Sequence, residues 1–143
     1  MEVSVSKSNI QNFGFFTLLG LVIWPVLSTV GPKIEGRLNP VVVSTELTRI
    51  IPESENTSKI YGTATKLREC SYLKTEWYYG KPGEQSVLVP VTINEPAKIR
   101  YDGKFAFGPW VLELSHDHVR DESYALVYHQ CHILWPTITR FWP

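Results

Sequence analysis

Apolar and polar positions divide the 143-residue chain into two unequal parts. Residues 13–30 form an apolar run without a charged side chain, and the residues that follow mix apolar and polar positions. A helix needs about 20 apolar residues to cross the hydrocarbon layer of a bilayer, with about 17 as the lower limit. The pattern therefore predicts a tail over residues 1–12, a transmembrane helix over residues 13–31, a linker over residues 32–40 and a β-sandwich domain over residues 41–143.

The apolar run is open to more than one interpretation. Pro25 would kink the helix, and the pair Gly31-Pro32 is typical of a helix end. A cleaved signal peptide has a similar apolar core, although the small residues at the exit match a cleavage site poorly. A core helix packed beneath the strands of the same chain is a third interpretation. We favour a retained single-pass membrane anchor.

The rest of the chain has the two-residue period of β-strands. β-Branched and aromatic residues are concentrated in seven segments, separated by turn-forming residues such as those at positions 81–84. The segments are residues 41–51, 59–67, 71–79, 85–92, 110–114, 124–132 and 133–142. Short strands spaced about 10 to 15 residues apart favour a mainly β fold, an antiparallel β-sandwich, over a parallel sheet.

Charge and motifs exclude several functions. Lys and Arg together number 14, as do Asp and Glu, so the net charge is zero and no basic face for nucleic acid is predicted. A Gly-rich phosphate loop and a G-x-S-x-G motif are missing from the sequence, so we predict no catalytic residue, no enzyme activity, no cofactor and no small-molecule substrate. The expected partners are the lipid membrane and other protein subunits.

The two cysteines, Cys70 and Cys131, are candidates for a disulfide. An even pair in a small β domain is typical of an oxidising compartment, which would place the C-terminal domain outside the cytoplasm, in the periplasm or the extracellular space. The basic residues near the apolar run, Lys7 before it and Lys33 and Arg37 after it, give no clear orientation. Two separate thiols in a reducing compartment are the alternative.

The layout of Cys70, Trp77 and Cys131, with Asp121 and Tyr128 before the second cysteine, resembles that of immunoglobulin-like domains. In that family a disulfide joins the two sheets and the tryptophan packs against it. The resemblance implies an immunoglobulin-like antiparallel β-sandwich. The spacing departs from the family pattern, since Trp77 follows Cys70 closely and Tyr128 precedes Cys131 by three residues and not by two.

Residues 60–92, in which an aromatic strand precedes the turn at Pro82-Gly83, also resemble small membrane-tethered domains of bacteria and bacteriophages. The likeness extends over most of residues 33–143, where the chain ends in an aromatic- and proline-rich tail. The likeness contains no motif that implies a role. The predicted anchor and β domain, without a catalytic motif, favour a non-enzymatic binding or assembly protein, which in a bacterial or phage setting would be an accessory or structural subunit of a membrane complex or a virion.

All four histidines of the chain, His116, His118, His129 and His132, lie close to Cys131 in the sequence. Alternate residues of a strand share a face, so neighbouring strands could bring three or four of these side chains onto zinc or copper. A metal-binding or redox β domain is therefore the alternative function. A disulfide at Cys131 would compete for the same sulfur, and structural histidines are the simpler interpretation.

Aromatic residues are abundant toward the C-terminus, where Trp135, Phe141 and Trp142 are candidates for an interface. Tyrosine and tryptophan are favoured at protein interfaces and at membrane–water boundaries, because each combines an apolar body with a polar tip. Packing of these rings against the domain itself is an equally weighted alternative.

Overall fold

A computed structural model of the chain describes the backbone of residues 7–94 and 100–142, and the side chains of residues 12–94 and 100–142. The first six residues of the predicted tail and Pro143, the last residue of the predicted domain, lie outside the described residues.

The N-terminal helix, α1, spans Lys7–Leu38 and is longer than expected. Residues Gly31 and Pro32 do not end it, and most of the predicted linker over residues 32–40 is helical, so both predictions are wrong. Pro32 is tolerated inside the helix because the last two turns pack against the β domain, where Pro32 and Gly36 are buried. The first strand begins at Val42, a few residues after the helix ends.

The apolar side chains between residues 13 and 30 are exposed. The hydroxyl of Thr17 donates to the Phe13 carbonyl (2.8 Å), and the hydroxyls of Ser28 and Thr29 donate to the Pro25 carbonyl (3.0 Å each), so these polar groups are satisfied on the helix itself. The interpretation of the run as a core helix is therefore wrong. By length and composition, Asn12–Leu38 is the one helix among the described residues that could cross a membrane.

Eight strands and a short helix follow α1 within the described residues. Pro90 interrupts the predicted strand 85–92 because proline cannot donate a ladder hydrogen bond, and the predicted strand 110–114 extends back to Gly103. The elements are β1 (Val42–Ser54), β2 (Thr57–Lys66), β3 (Ser71–Tyr79), β4 (Val87–Val89), β5 (Val91–Ile93), β6 (Gly103–Leu112), α2 (His116–Asp121), β7 (Ser123–Gln130) and β8 (Thr137–Trp142).

The strands form two antiparallel sheets, which confirms the mainly β prediction. In the described part of the chain, one sheet has the order β1-β2-β6-β5 and the other the order β4-β3-β7-β8. Side chains from both sheets form one core, in which Trp77, Ile60 and Leu112 are fully buried. The Trp77 Nε1–H donates to the Ser123 hydroxyl at 2.9 Å, so the largest buried side chain keeps its polar group satisfied.

Cys70 and Cys131 form a disulfide, as predicted. Cys70 immediately precedes β3 and Cys131 immediately follows β7, and the adjoining residues Ser71 and Gln130 are paired across these two neighbouring strands. The bridge therefore joins two strands of the same sheet. The immunoglobulin resemblance implied a bridge between the sheets, and that implication is wrong.

Strand register places one end of both sheets next to the C-terminal part of α1. We call this the junction end: it comprises the starts of β1, β3, β6 and β8 and the ends of β2 and β7. Its paired residues are Val42 with Lys66, Lys66 with Gly103, Ser71 with Gln130, and His129 with Thr137.

Candidate functional site

The last two turns of α1 lie directly against the backbone of β8. A Cβ atom built on Gly36 would be 2.5 Å from the carbonyl carbon of Ile138 and closer still to its oxygen. Carbon atoms in van der Waals contact are about 3.5–4.0 Å apart, so a side chain larger than hydrogen does not fit at this position. Glycine at residue 36 therefore allows the helix to approach the strand this closely.

Glu35, next to this glycine, brings three segments of the chain together. Its Oε1 atom accepts hydrogen bonds from the Thr137 hydroxyl (2.9 Å) and from Nη1 of Arg68 (3.2 Å). Its Oε2 atom accepts from Nε2 of His132 (2.7 Å) and from Nε1 of Trp135 (3.0 Å). The carboxylate is thus bonded to the β2–β3 loop, the β7–β8 loop and the start of β8. We refer to these five residues as the Glu35 cluster.

The tautomer of His132 follows from its second hydrogen bond. The backbone N–H of Leu134 donates to Nδ1 of the imidazole (3.3 Å), so Nδ1 is an acceptor and the proton on Nε2 is donated to Glu35. Arg68 also makes a second hydrogen bond. Its Nη1 donates to the carbonyl of Asn39, the residue directly after α1, at 2.9 Å. His132 and Arg68 are thereby each oriented by two hydrogen bonds.

The indole ring of Trp135 covers Gly31, one turn before Glu35. A Cβ atom on Gly31 would lie 3.0 Å from the Cζ2 atom of this ring, so glycine again allows close packing. The ring also contacts the imidazole of His132 edge-on, with 5.4 Å between the centroids. Trp135 therefore packs its apolar ring against the helix at Gly31 and donates its N–H to the Glu35 carboxylate.

The Cys70–Cys131 bridge fixes the start of the β7–β8 loop that supplies His132 and Trp135. Nearby, the ammonium of Lys66, which is only 9% exposed, donates to the carbonyls of Cys70 (3.2 Å) and Arg100 (2.7 Å). The disulfide therefore links the β2–β3 loop covalently to the β7–β8 loop. The hydrogen bond from Lys66 to Cys70 also connects the β2–β3 loop to the end of β2.

The predicted metal site is not assembled. Among the residues that the structure describes, no group of three or more His, Cys, Asp or Glu side chains is placed to hold a metal ion. His116 and His118 lie on α2, where His118 bonds to Glu122 at 2.7 Å, whereas His132 bonds to Glu35 and Cys131 is in the disulfide. The sequence proximity of these residues is lost because α2 and the junction end lie at opposite ends of β7.

His129 is a buried core histidine. Its side chain is 4% exposed, its ring lies edge-on to that of Tyr72 at 6.0 Å, and its Nδ1 atom has no hydrogen-bond partner. Burial, and in second place the positive charge of Lys66, lowers the pKa of His129 to about 4, so the ring is neutral at pH 7.

The three aromatic residues predicted to form an interface all have partners within the chain. Phe141 is 4% exposed and stacks on Trp110 at 5.4 Å in the core, so it is not available to a partner. Trp142 is half-buried, and its Nε1–H donates to the Val119 carbonyl at 3.4 Å. Trp135 belongs to the Glu35 cluster. Packing within the domain therefore describes Phe141, whereas Trp135 and Trp142 keep part of their surface exposed.

A second polar cluster, around Glu76, lies on the outer face of the β3–β7 pair. The carboxylate accepts hydrogen bonds from Lys74 (2.6 Å) and from the hydroxyls of Tyr78 and Tyr128 (2.7 Å each). Partial burial raises the pKa of Glu76, but these three bonds outweigh it and the net shift is downward. Burial and the Glu76 carboxylate raise the pKa of Tyr78 to about 12, and they also raise the pKa of Tyr128. The phenols therefore stay protonated, and the cluster stabilises the sheet surface.

Sequence reasoning missed the Glu35 cluster. Glu35 and Gly36 fall in the predicted linker, and Arg68 lies between the predicted strands 59–67 and 71–79. The available signal was a single acidic residue between the basic residues Lys33 and Arg37, directly after a long apolar run. A charged residue at the end of a long apolar helix needs a partner when it faces protein.

Comparison with protein-family models, with curated proteins and with solved structures finds no match to this chain. Its function is therefore inferred from the geometry of the helix, the junction and the two sheets.

Proposed function

We propose that the chain is a single-pass membrane-anchored protein whose β domain acts by binding or assembly, without catalysis, as an accessory or structural subunit of a membrane complex or a virion. The observation that carries this proposal is the exposure of the apolar side chains between residues 13 and 30. An apolar surface of that size is rare on a soluble monomer, and insertion into lipid removes it from water.

The Glu35 cluster supports a role in which the position of the domain matters. A flexible linker would let the domain move freely above the bilayer, whereas here the helix docks on β8 through Gly36 and is bonded through Glu35. The anchor and the domain then move as one unit. Such a connection suits a subunit that must present a surface at a defined distance from the membrane.

The two-sheet arrangement is, on this proposal, immunoglobulin-like. When β1 to β8 take the strand names A, B, C, C′, D, E, F and G, the two sheets become A-B-E-D and C′-C-F-G, which is the order of that family. The family's buried tryptophan lies on strand C, and Trp77 lies on β3. The bridge within one sheet is a difference from antibody-type domains, and the strand order supports the proposal independently of it.

The domain is proposed to face the periplasm or the extracellular space. Disulfides form and persist in oxidising compartments, and the Cys70–Cys131 bridge is the support for this orientation. Immunoglobulin-like modules are common binding modules on cell surfaces, which agrees with a role in binding or assembly.

Membrane extraction of the full chain tests the anchor. After expression in bacteria, the protein should stay in the membrane pellet under alkaline carbonate. A variant with Leu19→Arg and Val22→Arg in the exposed run should be released, because each charge at a helix centre opposes insertion by about 3 kcal/mol. The matched control carries Leu88→Arg and Val87→Arg on the exposed strand β4 and should remain membrane-bound.

Three further measurements test the cleavage of the helix, the orientation of the domain and its partners. The intact mass of the membrane-bound protein should include residues 13–31, and a mass that lacks them would indicate a cleaved signal peptide and contradict the anchor.

In spheroplasts, a membrane-impermeant maleimide should label a Glu84→Cys variant from outside. Labelling only after lysis would place the domain in the cytoplasm. Stoichiometric co-purification with another chain in mild detergent would identify the complex in which the subunit works.

A further inference from the structure

Among the described residues, six of the nine large apolar side chains of the β domain that are exposed lie at the junction end. The other three, Tyr79, Val87 and Leu88, lie on β3 and β4 toward the opposite end. Charged residues lie in the connections at both ends, such as Arg68 and Asp102 at the junction end and Glu55 and Lys81 at the opposite end. The large apolar side chains that are exposed at the junction end are Leu67, Tyr72, Leu73, Tyr101, Ile133 and Leu134.

The most exposed of these residues lie on the β7–β8 loop. Ile133 is 97% exposed and Leu134 is 52% exposed, although the loop itself is firmly held. The disulfide at Cys131 fixes its start, and the bonds of His132 and Trp135 to Glu35 fix its middle. A constrained loop that presents two large aliphatic side chains to the outside is suited to an apolar environment at that position.

The depth of this loop relative to the bilayer can be read from the helix. Residues 13–30 extend over about 27 Å, close to the hydrocarbon thickness of about 30 Å, so the boundary of the hydrocarbon falls near Gly31. Gly31 is the residue that the Trp135 ring covers. The indole N–H points to Glu35, which lies about 6 Å farther along the helix from the bilayer. Tryptophans at membrane interfaces have this orientation, with the ring toward lipid and the N–H toward water.

Charge at the same level complements lipid headgroups. Lys33 and Arg37 are exposed and lie one turn apart, on the part of α1 that follows the boundary. Basic side chains in this position extend toward lipid phosphates while their aliphatic stems cover apolar surface. Ile34, which is also exposed, lies between them in the sequence.

We infer that the β7–β8 loop is a second membrane contact, in which Ile133 and Leu134 insert into the headgroup–acyl boundary of the bilayer that holds α1, and Trp135 lies at the interface. This inference rests on the proposed membrane anchor. On this inference the loop fixes the tilt of the domain relative to the bilayer, because two contacts restrict a rotation of the domain that a single helix would allow.

Site-specific fluorescence on the full chain in phosphatidylcholine–phosphatidylglycerol vesicles tests the inference. An environment-sensitive fluorophore is attached to Ile133→Cys, with the native disulfide kept oxidised. Its emission should shift to shorter wavelength relative to the same label at Glu84→Cys. Compared with the label at residue 84, the fluorescence of the label at residue 133 should be quenched less by aqueous iodide. It should be quenched more by lipids that carry a nitroxide high on the acyl chain. Glu84 is an exposed residue in the turn before β4, at the opposite end of the domain.

A label at Leu19→Cys separates failure of the inference from failure of the anchor. If nitroxide lipids quench Leu19 but the Ile133 label remains as accessible to iodide as the Glu84 label, the loop contact is wrong and the anchor stands. If Leu19 is not quenched, the anchor itself is wrong. Protection of Ile133 from iodide without quenching by lipid would indicate contact with a second copy of the chain, and it would also overturn the inference. Circular dichroism of each labelled variant confirms that the domain is folded.

Discussion

The closest approach between the helix and the β domain, at Gly36, gives a sharp test of the junction. In Gly36→Ala, the new Cβ atom would be 2.5 Å from the Ile138 carbonyl carbon. The atoms that it meets belong to the backbone of β8, which cannot rotate away as a flexible side chain could. The helix must therefore move away by about 1 Å or more to restore a normal contact distance.

The cost of this movement follows from the neighbouring residue. The four hydrogen bonds of Glu35 have lengths of 2.7–3.2 Å, and a displacement of 1 Å takes them beyond hydrogen-bonding distance. A hydrogen bond to a charged group contributes about 1.5–3 kcal/mol. The side chains of Glu35 and Arg68 are 19% and 26% exposed, so water replaces part of what is lost. We therefore expect Gly36→Ala to lower the free energy of unfolding by about 3 kcal/mol in total.

Gly20 provides a matched control on the same helix. A Cβ atom there has nothing within 4 Å, so Gly20→Ala should leave stability unchanged or raise it by about 0.5–1 kcal/mol through helix propensity. Equilibrium urea unfolding of the full chain in micelles, followed by tryptophan fluorescence, gives both values. Hydrogen exchange of the amides at residues 31–38 reports whether the helix separates from the domain before the sheets unfold.

The reasoning would be refuted by a Gly36→Ala protein with the unfolding midpoint and the amide protection of Gly20→Ala. In that case the contact between α1 and β8 would not limit stability, and the rigid junction would lose its support.

Other substitutions test separate parts of the structure. Glu35→Gln should destabilise the protein by about 2 kcal/mol, because the amide turns an N–H toward one pair of donors. Glu53→Gln, at the exposed ion pair with Lys59, should leave the urea midpoint unchanged, and equal midpoints for the two variants would contradict this reasoning. Replacing Cys70 and Cys131 by serine removes a cross-link between residues 61 positions apart, which should lower the free energy of unfolding by about 4 kcal/mol on the loop-entropy estimate. An unchanged melting temperature would argue against a disulfide in the native protein. Because the pKa of His129 is lowered in the folded protein, the unfolded chain binds a proton below pH 6.5 that the folded chain does not bind. The free energy of unfolding should therefore fall by up to about 3 kcal/mol as the pH is lowered from 6.5 toward 4. In His129→Phe this part of the pH dependence should disappear, and identical slopes of unfolding free energy against pH in the two proteins would exclude the assignment.

The sequence by itself determined the features that depend on local patterns. An unbroken apolar run has the length of a membrane helix whatever surrounds it. The alternation of residues 59–67 predicts a strand, and β2 alternates between buried and half-buried side chains. The pair of cysteines indicated a disulfide. These properties depend on neighbouring residues, so they can be read without knowing where distant segments lie.

The tertiary structure decided which residues are brought together where the ends of different strands meet. The pairing of β3 with β7 places Cys70 beside Cys131 within one sheet, and it separates His118 from His132 by the length of β7. Residues 32–38 have the Gly and Pro content of a linker, but packing on β8 keeps them helical. The role of Glu35 is set by donors about 30 and 100 positions away in the chain, and no local period encodes a contact over such distances.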